Sequence, residues 1–192
     1  MNEKQEGKKG VNPVAIIIVA ISVAVVLIAV FAKKSSFELV LAGTQAIDFE
    51  LPDLDGKTRS LGEFKGKVVF LNFWATWCKP CEEEMPSMQQ LHAAFQGKPF
   101  EIVAVSIDKD GAEAIREFVK KYGVTFTVLH DRKGRIKELY KTTGVPETFI
   151  IDQNGVIAEK VWGPRDWTKM SSVSTIIELL KNGPKDPASY RK

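Results

Sequence analysis

Residues 70–86 read Phe-Leu-Asn-Phe-Trp-Ala-Thr-Trp-Cys-Lys-Pro-Cys-Glu-Glu-Glu-Met-Pro and hold the only two cysteines of the 192-residue chain, Cys78 and Cys81. The apolar run Val68–Trp74 predicts a buried strand before them, and Glu82–Phe95 predicts a helix after them. A cysteine at that junction lies at a helix N-terminus, where unpaired N–H groups and the helix dipole stabilise a thiolate. We therefore expect Cys78 to be the exposed nucleophile and Cys81 to resolve the mixed disulfide.

Composition limits what else the cysteines can do. Two cysteines cannot form a disulfide framework and fall short of a four-ligand zinc site. The pair is therefore a redox couple, a two-thiolate metal site or a structural disulfide, and the last would close a loop too short to stabilise the fold much. The net charge of +3 arises in residues 1–34, so the rest of the chain is neutral and gives no support for nucleic-acid binding.

The chain divides into an N-terminal appendage and one domain. Residues 1–10 are polar and basic, and residues 11–32 carry no charge. A helix of that length would span roughly 33 Å, which is enough for a membrane core and longer than a signal peptide requires. We predict a cytoplasmic tail at 1–10, an uncleaved transmembrane anchor at 11–32 and a tether at 33–43. The domain is predicted at 44–183 and a frayed tail at 184–192.

Periodicity predicts the elements of this domain. Alternating and buried patterns predict strands, apolar residues three or four apart predict helices, and Asn-Gly between two strand-like runs predicts a hairpin. We expect a mixed sheet with helices on both faces. The predicted strands are Ile47–Leu51, Lys57–Leu61, Val68–Trp74, Phe100–Ile107, Thr125–Leu129, Thr148–Asp152 and Val156–Trp162, and the further helices are Ala112–Tyr122, Arg135–Lys141 and a last helix from Trp167 or Thr168 to Lys181.

The motif Trp77-Cys-Lys-Pro-Cys81 resembles the redox motif of thioredoxin-like proteins. Cys-x-Pro-Cys-x-x-Glu, ending at Glu84, and Val145-Pro-Glu-Thr-Phe-Ile-Ile-Asp152 are similar to the TlpA/ResA/CcmG (DsbE) family over roughly residues 44–181. The resemblance implies an α/β thioredoxin fold, with a mixed central sheet flanked by helices. It also implies an N-terminal β-hairpin, a central insertion between Gly123 and Gly144, and one preceding transmembrane helix.

The resemblance also assigns roles around the cysteine pair. It implies a cis peptide bond before Pro146, on a loop facing the cysteines, and pairing of the Val145 backbone with an extended substrate. Trp77 would line the reactive thiol. Glu84 lies one helical turn after Cys81, where a carboxylate with a raised pKa would accept and return the proton of that thiol.

Five other residues carry lesser expectations. Asn72 stands where thioredoxin has a buried aspartate, and it cannot titrate. Glu147 either shapes a partner-binding surface or is an exposed loop acid. Trp74 is expected in the core, and His92 and His130 are expected as packing or surface histidines.

The function that the resemblance implies is thiol–disulfide exchange by a redox-active disulfide, Cys78–Cys81, in a protein tethered to the bacterial cell membrane with its catalytic domain outside. Its implied partners are extracytoplasmic proteins with disulfides, apocytochrome c among them, and a membrane thiol donor of the CcdA/DsbD type. No cofactor or resident metal is expected. Two alternatives stay open: a Sco-type copper module, which uses a wider cysteine spacing and a distant histidine, and a peroxiredoxin-like peroxidase, which needs a lone peroxidatic cysteine.

Overall fold

The computed structural model describes Ile17, residues 20–24 and residues 40–191. Ile17 and residues 20–24 are helical, and within the described residues no helix has the length and apolar character needed to cross a membrane. The predicted anchor at 11–32 lies mostly outside the described residues and stays a prediction. Val40–Lys192 forms one compact unit.

The strands of the central sheet are β3 (Val68–Trp74), β4 (Phe100–Ser106), β5 (Thr127–His130), β6 (Glu147–Ile151) and β7 (Ile157–Trp162). They form a five-stranded sheet in the order β5-β4-β3-β6-β7. The central strand β3 is buried at all seven positions, as its apolar run with the single polar residue Asn72 predicts, and pairs parallel to β4 and antiparallel to β6. The other pairings are parallel for β4 with β5 and antiparallel for β6 with β7.

Helices and a small hairpin complete the mixed α/β fold. The helices are α1 (Lys79–Ala94), α2 (Ala112–Tyr122), α3 (Arg135–Leu139) and α4 (Met170–Asn182), with 3₁₀ turns at Leu61–Phe64 and Pro187–Tyr190. The antiparallel hairpin consists of β1 (Glu50–Pro52) and β2 (Thr58–Ser60), so each strand is two residues shorter than predicted. Helix α1 begins three residues earlier than predicted because Cys78 caps it and Pro80 is tolerated in its first turn.

The C-terminal residues are ordered against the domain, so the prediction of a frayed tail is wrong. Tyr190 is buried, and its hydroxyl donates to Oδ2 of Asp152 at 3.0 Å and accepts from the backbone N–H of Lys185 at 2.8 Å. These contacts explain the error, because a single aromatic residue joins the tail to the core.

At the N-terminal end of the domain, the last residues of the predicted tether pack on the domain: Val40 is buried, and the N–H of Gly43 donates to the carbonyl of Ile157 at 2.7 Å.

Candidate active site

Cys78 and Cys81 are joined by a disulfide, with their Cα atoms 5.3 Å apart. Cys78 caps α1, and its Sγ accepts a hydrogen bond from the backbone N–H of Cys81 at 3.2 Å. This is the predicted position at a helix N-terminus, where a thiolate is stabilised once the disulfide is reduced. Cys78 is only 5% exposed and Cys81 is 0% exposed, so the expected exposed nucleophile is almost covered in the disulfide form.

The loop at Val145 covers Cys78. The carbonyl oxygen of Val145 lies 3.5 Å from Sγ of Cys78, and the Val145–Pro146 peptide bond is cis, as predicted. Trp77, the residue before Cys78, is 68% exposed, so most of its apolar indole is open to solvent. The structure therefore brings together Trp77, Cys78, Val145 and Pro146, the four residues that the motifs place around the outer face of the pair.

Glu147 is buried, so the expectation of an exposed loop acid is wrong, while a part in shaping a partner-binding surface stays a prediction. Its side chain is 1% exposed, and Oε1 forms an ion pair with Nζ of Lys160 at 2.8 Å. Oε2 accepts hydrogen bonds from the backbone N–H and the hydroxyl of Thr143, at 3.1 and 3.3 Å. The carboxylate therefore bridges the two ends of the loop that contains Pro146 and ties that loop to β7. Its position directly after the proline, at the start of a strand buried at every position, explains the burial.

Glu84 lies behind the pair, one helical turn after Cys81, and is 3% exposed. Its Oε1 accepts from Nδ2 of Asn72 at 3.1 Å. Its Oε2 accepts from the backbone N–H of Arg165 and from Nε1 of Trp167, each at 3.3 Å. Three donors from two separate parts of the chain thus hold the carboxylate.

Burial controls the protonation of this carboxylate. Loss of solvent raises the pKa of Glu84 from 4.5 to about 7, against the three hydrogen bonds, which favour the charged form and lower the pKa. A carboxylate with such a pKa can take up and release a proton near neutral pH. This is the property that the Cys-x-Pro-Cys-x-x-Glu motif implied for Glu84.

Asn72 is the one polar residue of β3, and from the sequence alone it is only a group that cannot titrate. In the structure, Nδ2 bridges Glu84 and Oγ1 of Thr148, the latter at 3.0 Å, and Thr148 is the register partner of Asn72 on β6. Oδ1 of Asn72 is buried and has no hydrogen-bond partner among the described residues. A single polar residue inside an otherwise apolar strand was the available signal for this contact.

Asp108 fixes the turn that precedes the cysteines, and no sequence motif points to this residue. Its buried carboxylate accepts from the hydroxyl of Thr76 at 2.6 Å, from the backbone N–H of Thr76 at 3.1 Å, and from the hydroxyl of Ser106 at 2.6 Å. Because Thr76 lies two residues before Cys78, these bonds hold the start of the motif against the end of β4. Oxygen acceptors in such a network restrict the turn to one geometry.

Glu82 neutralises the lysine between the cysteines. It pairs with Nζ of Lys79 at 3.1 Å and with Nζ of Lys121 at 3.2 Å, and it accepts from the hydroxyl of Tyr122. The Tyr122 hydrogen bond, followed by those of the two lysines, lowers the pKa of Glu82 to about 2. The ammonium of Lys79 is therefore shared with a carboxylate rather than directed at the thiol alone.

The remaining aromatic and histidine residues pack in the domain. Trp74 is 1% exposed, which confirms its prediction as a core residue. His130 is buried with Nε2 at 2.8 Å from the carbonyl of Asp108, and His92 packs edge-on to Phe126. Across the described residues, no three His, Cys, Asp or Glu side chains cluster in a way that could hold a metal ion.

The sheet order and this cysteine pair define the class of protein, a thioredoxin-like thiol–disulfide oxidoreductase. A disulfide at a helix N-terminus, faced by a cis-proline loop, exchanges with a substrate dithiol or disulfide through a mixed disulfide.

Comparison with known proteins agrees with this class. Residues 42–160 match the model of the AhpC/TSA family. The thiol–disulfide oxidoreductase ResA of Oceanobacillus iheyensis is 43% identical over 152 residues, which are 76% of this chain and 78% of that protein. The chain therefore belongs to the AhpC/TSA family and to the ResA-type thiol–disulfide oxidoreductases.

Solved structures give the same result. A Chlorobium tepidum protein, provisionally described as the thiol:disulfide interchange protein DsbE, is 36% identical with a TM-score of 0.68, over 72% of this chain and 97% of that one. A secreted Mycobacterium tuberculosis disulfide oxidoreductase, described as homologous to E. coli DsbE, is 27% identical with a TM-score of 0.59, over 67% of this chain and 95% of that one. The predicted thioredoxin fold is thereby confirmed.

Proposed function

We propose that this oxidoreductase acts as a reductant of protein disulfides outside the cytoplasm, while residues 11–32 anchor it in the bacterial cell membrane. The observation that carries the reducing direction is the buried Glu84 carboxylate one helical turn behind Cys81. A negative charge there opposes a thiolate on the pair, so the dithiol form gives up its electrons more readily. The location rests on the uncharged run 11–32 and on the secreted relative described above.

The proposed reaction transfers two electrons to a substrate disulfide. The Cys78 thiolate attacks one substrate sulfur, which forms a mixed disulfide and releases the first substrate thiolate. Cys81 then gives its proton to Glu84 and attacks Sγ of Cys78, which forms the Cys78–Cys81 disulfide and releases the second substrate thiolate. Both released thiolates take up protons from water, and Glu84 returns its proton when the pair is reduced again.

Apocytochrome c is the proposed substrate, because the resemblance to the TlpA/ResA/CcmG (DsbE) family implies a role in cytochrome c maturation. Its two haem-binding cysteines would be kept reduced until haem is attached. A membrane thiol donor of the CcdA/DsbD type would supply the electrons. Deleting the gene should lower the amount of haem-bound cytochrome c, and a normal amount would remove apocytochrome c as the substrate.

A trapping experiment tests the proposed reaction directly. In Cys81→Ser the second attack cannot occur, so substrates should stay covalently joined to Cys78 and be released by a reducing agent. The double variant Cys78→Ser/Cys81→Ser is the matched control and should retain none of them. Mass spectrometry of the trapped proteins identifies the substrates, and recovery of cytoplasmic proteins alone would contradict the extracytoplasmic proposal.

The membrane orientation has its own test. A thiol reagent that cannot cross membranes should label Cys78 in intact cells after reduction of the pair, because the domain is proposed to face outward. Labelling that requires broken cells would place the domain in the cytoplasm and overturn the proposal.

A further inference from the structure

Trp167 stands far from the cysteines in sequence but is fixed against α1. It lies in the connection between β7 and α4 and is 1% exposed. Its indole packs edge-on to Phe70 of β3, with 4.6 Å between ring centroids. Its backbone N–H donates to Oγ of Ser87 at 3.1 Å, and that hydroxyl donates to the backbone carbonyl of Glu84 at 2.7 Å. The indole therefore has little freedom to move.

The indole N–H of this fixed residue donates to Oε2 of Glu84. The backbone N–H of Arg165 donates to the same oxygen, so the β7–α4 connection supplies both donors on that side of the carboxylate. Asn72 covers the other oxygen. Hydrogen bonds to a buried carboxylate favour its charged form and fix its orientation.

The charged groups around Glu84 are few and lie at the edge of the site. The guanidinium of Arg165 is occupied by Glu159, with Nη1 at 2.9 Å from Oε1. Asp166 and Glu83 are exposed, on the connection and on α1, where they line an open cleft of about 560 Å³ that also reaches Glu84. Among the described residues of the sheet, Asn72 and Thr148 are neutral and Glu159 of β7 is paired with Arg165. Helix α1 contributes the thiol of Cys81 once the pair is reduced.

We propose that Trp167 is a positioning residue for thiol–disulfide exchange, whose indole N–H holds the Glu84 carboxylate in place and in its charged form behind the cysteine pair. This inference rests on the proposed role of Glu84 as the group that accepts the proton of Cys81. Without the indole N–H, the carboxylate loses one of three donors, and its proton is held more tightly. Glu84 is then available as a base only at higher pH.

Two tryptophan variants separate this effect from a loss of packing. Trp167→Phe removes the donor, and Trp74→Phe is the matched control, because Trp74 is equally buried and its Nε1 has no hydrogen-bond partner among the described residues. The measurement is the pH dependence of single-turnover reduction of oxidised glutathione by the dithiol form of the full chain. The rate should fall at low pH as Glu84 becomes protonated, and this part of the profile is its acid limb. In Trp167→Phe the acid limb should move to higher pH by about one unit, which corresponds to tenfold tighter binding of the proton, and in Trp74→Phe it should not move.

The Glu84→Gln background shows whether Trp167 acts through the carboxylate. Glu84→Gln should lose this acid limb, and adding Trp167→Phe to it should change nothing further, since the donor then has no carboxylate to act on. An unmoved limb in Trp167→Phe, or an equal slowing by Trp167→Phe in both backgrounds, would overturn the inference and leave the role of Glu84 intact. Retention of the limb in Glu84→Gln would instead refute the proposed role of Glu84 itself.

A second variant and a second readout cover a failure of Trp167→Phe to fold. Ser87→Ala removes the acceptor that holds the Trp167 backbone and keeps the indole, so it should shift the limb in the same direction by a smaller amount. A ¹³C NMR titration of the Glu84 carboxyl group in the disulfide form should show a higher pKa in the same variants. An unchanged carboxyl titration in a folded variant would count against the inference.

Discussion

Replacing Glu84 by glutamine should change how the stability of the disulfide form depends on pH. The pKa of Glu84 is raised from 4.5 to about 7 by burial, so the folded protein holds a proton that the unfolded chain has already released between those pH values. The free energy of unfolding therefore falls as the pH rises through this interval. At about 1.4 kcal/mol per pKa unit, the loss amounts to ~3 kcal/mol and is complete above pH 7.

Glutamine cannot titrate, so Glu84→Gln should not show this loss. Glutamine also alters the hydrogen bonds to Asn72, Arg165 and Trp167, and this changes the free energy of unfolding by the same amount at every pH. The informative quantity is therefore how the difference in free energy of unfolding between Glu84→Gln and wild type varies with pH. Relative to wild type, Glu84→Gln should gain ~3 kcal/mol between pH 4.5 and pH 8. Urea unfolding curves across this range, with the disulfide intact and equal m values, measure the difference.

A matched control lies one residue earlier on the same helix. Glu83 is exposed, so Glu83→Gln should give a pH dependence parallel to that of wild type. If the difference between Glu84→Gln and wild type stayed constant within about 0.5 kcal/mol from pH 4 to 8, the folded protein would not be holding the proton on Glu84. The argument from burial would then be refuted.

Three further variants test other parts of the site. Glu147→Gln should cost ~3 kcal/mol because it leaves the ammonium of Lys160 buried alone, and adding Lys160→Met should restore most of it in a double-mutant cycle of unfolding free energies. Asp108→Asn should cost ~2 kcal/mol in urea unfolding, because the new NH₂ group faces the two donors of Thr76, and an unchanged midpoint would contradict this network. Trp77→Ala should leave the free energy of unfolding within about 0.5 kcal/mol but slow exchange with disulfide-bonded proteins more than with oxidised glutathione, and equal slowing of both would remove the docking role.

Local pattern predicted the strand β3 and the helix α2 to the residue, because β3 is a nearly continuous apolar run and α2 carries apolar residues three or four apart. The motifs also predicted the cysteine pair at a helix N-terminus and the cis bond before Pro146. These features depend on short stretches of chain. Their residues and spacings are sufficient to indicate the geometry.

The surroundings of Glu84 could not be predicted in this way. Trp167 is 83 residues further along the chain, and no local period indicates which carboxylate its indole will meet. Asn72 and Thr148 become partners only through the register of two strands that are distant in sequence. The ion pair of Glu147 could not be predicted for a related reason, since its partner Lys160 comes from the neighbouring strand.

The hydrogen bonds at the start of β7 give the domain a route for mechanical load. The backbone N–H of Gly43 donates to the carbonyl of Ile157, and the N–H of Ile157 donates to the carbonyl of Thr44. Tension on the chain before Gly43 would therefore pull first on β7. Strand β7 also carries Lys160, whose ammonium forms an ion pair with Glu147. A force on β7 would therefore be transmitted through this ion pair to the loop that covers Sγ of Cys78.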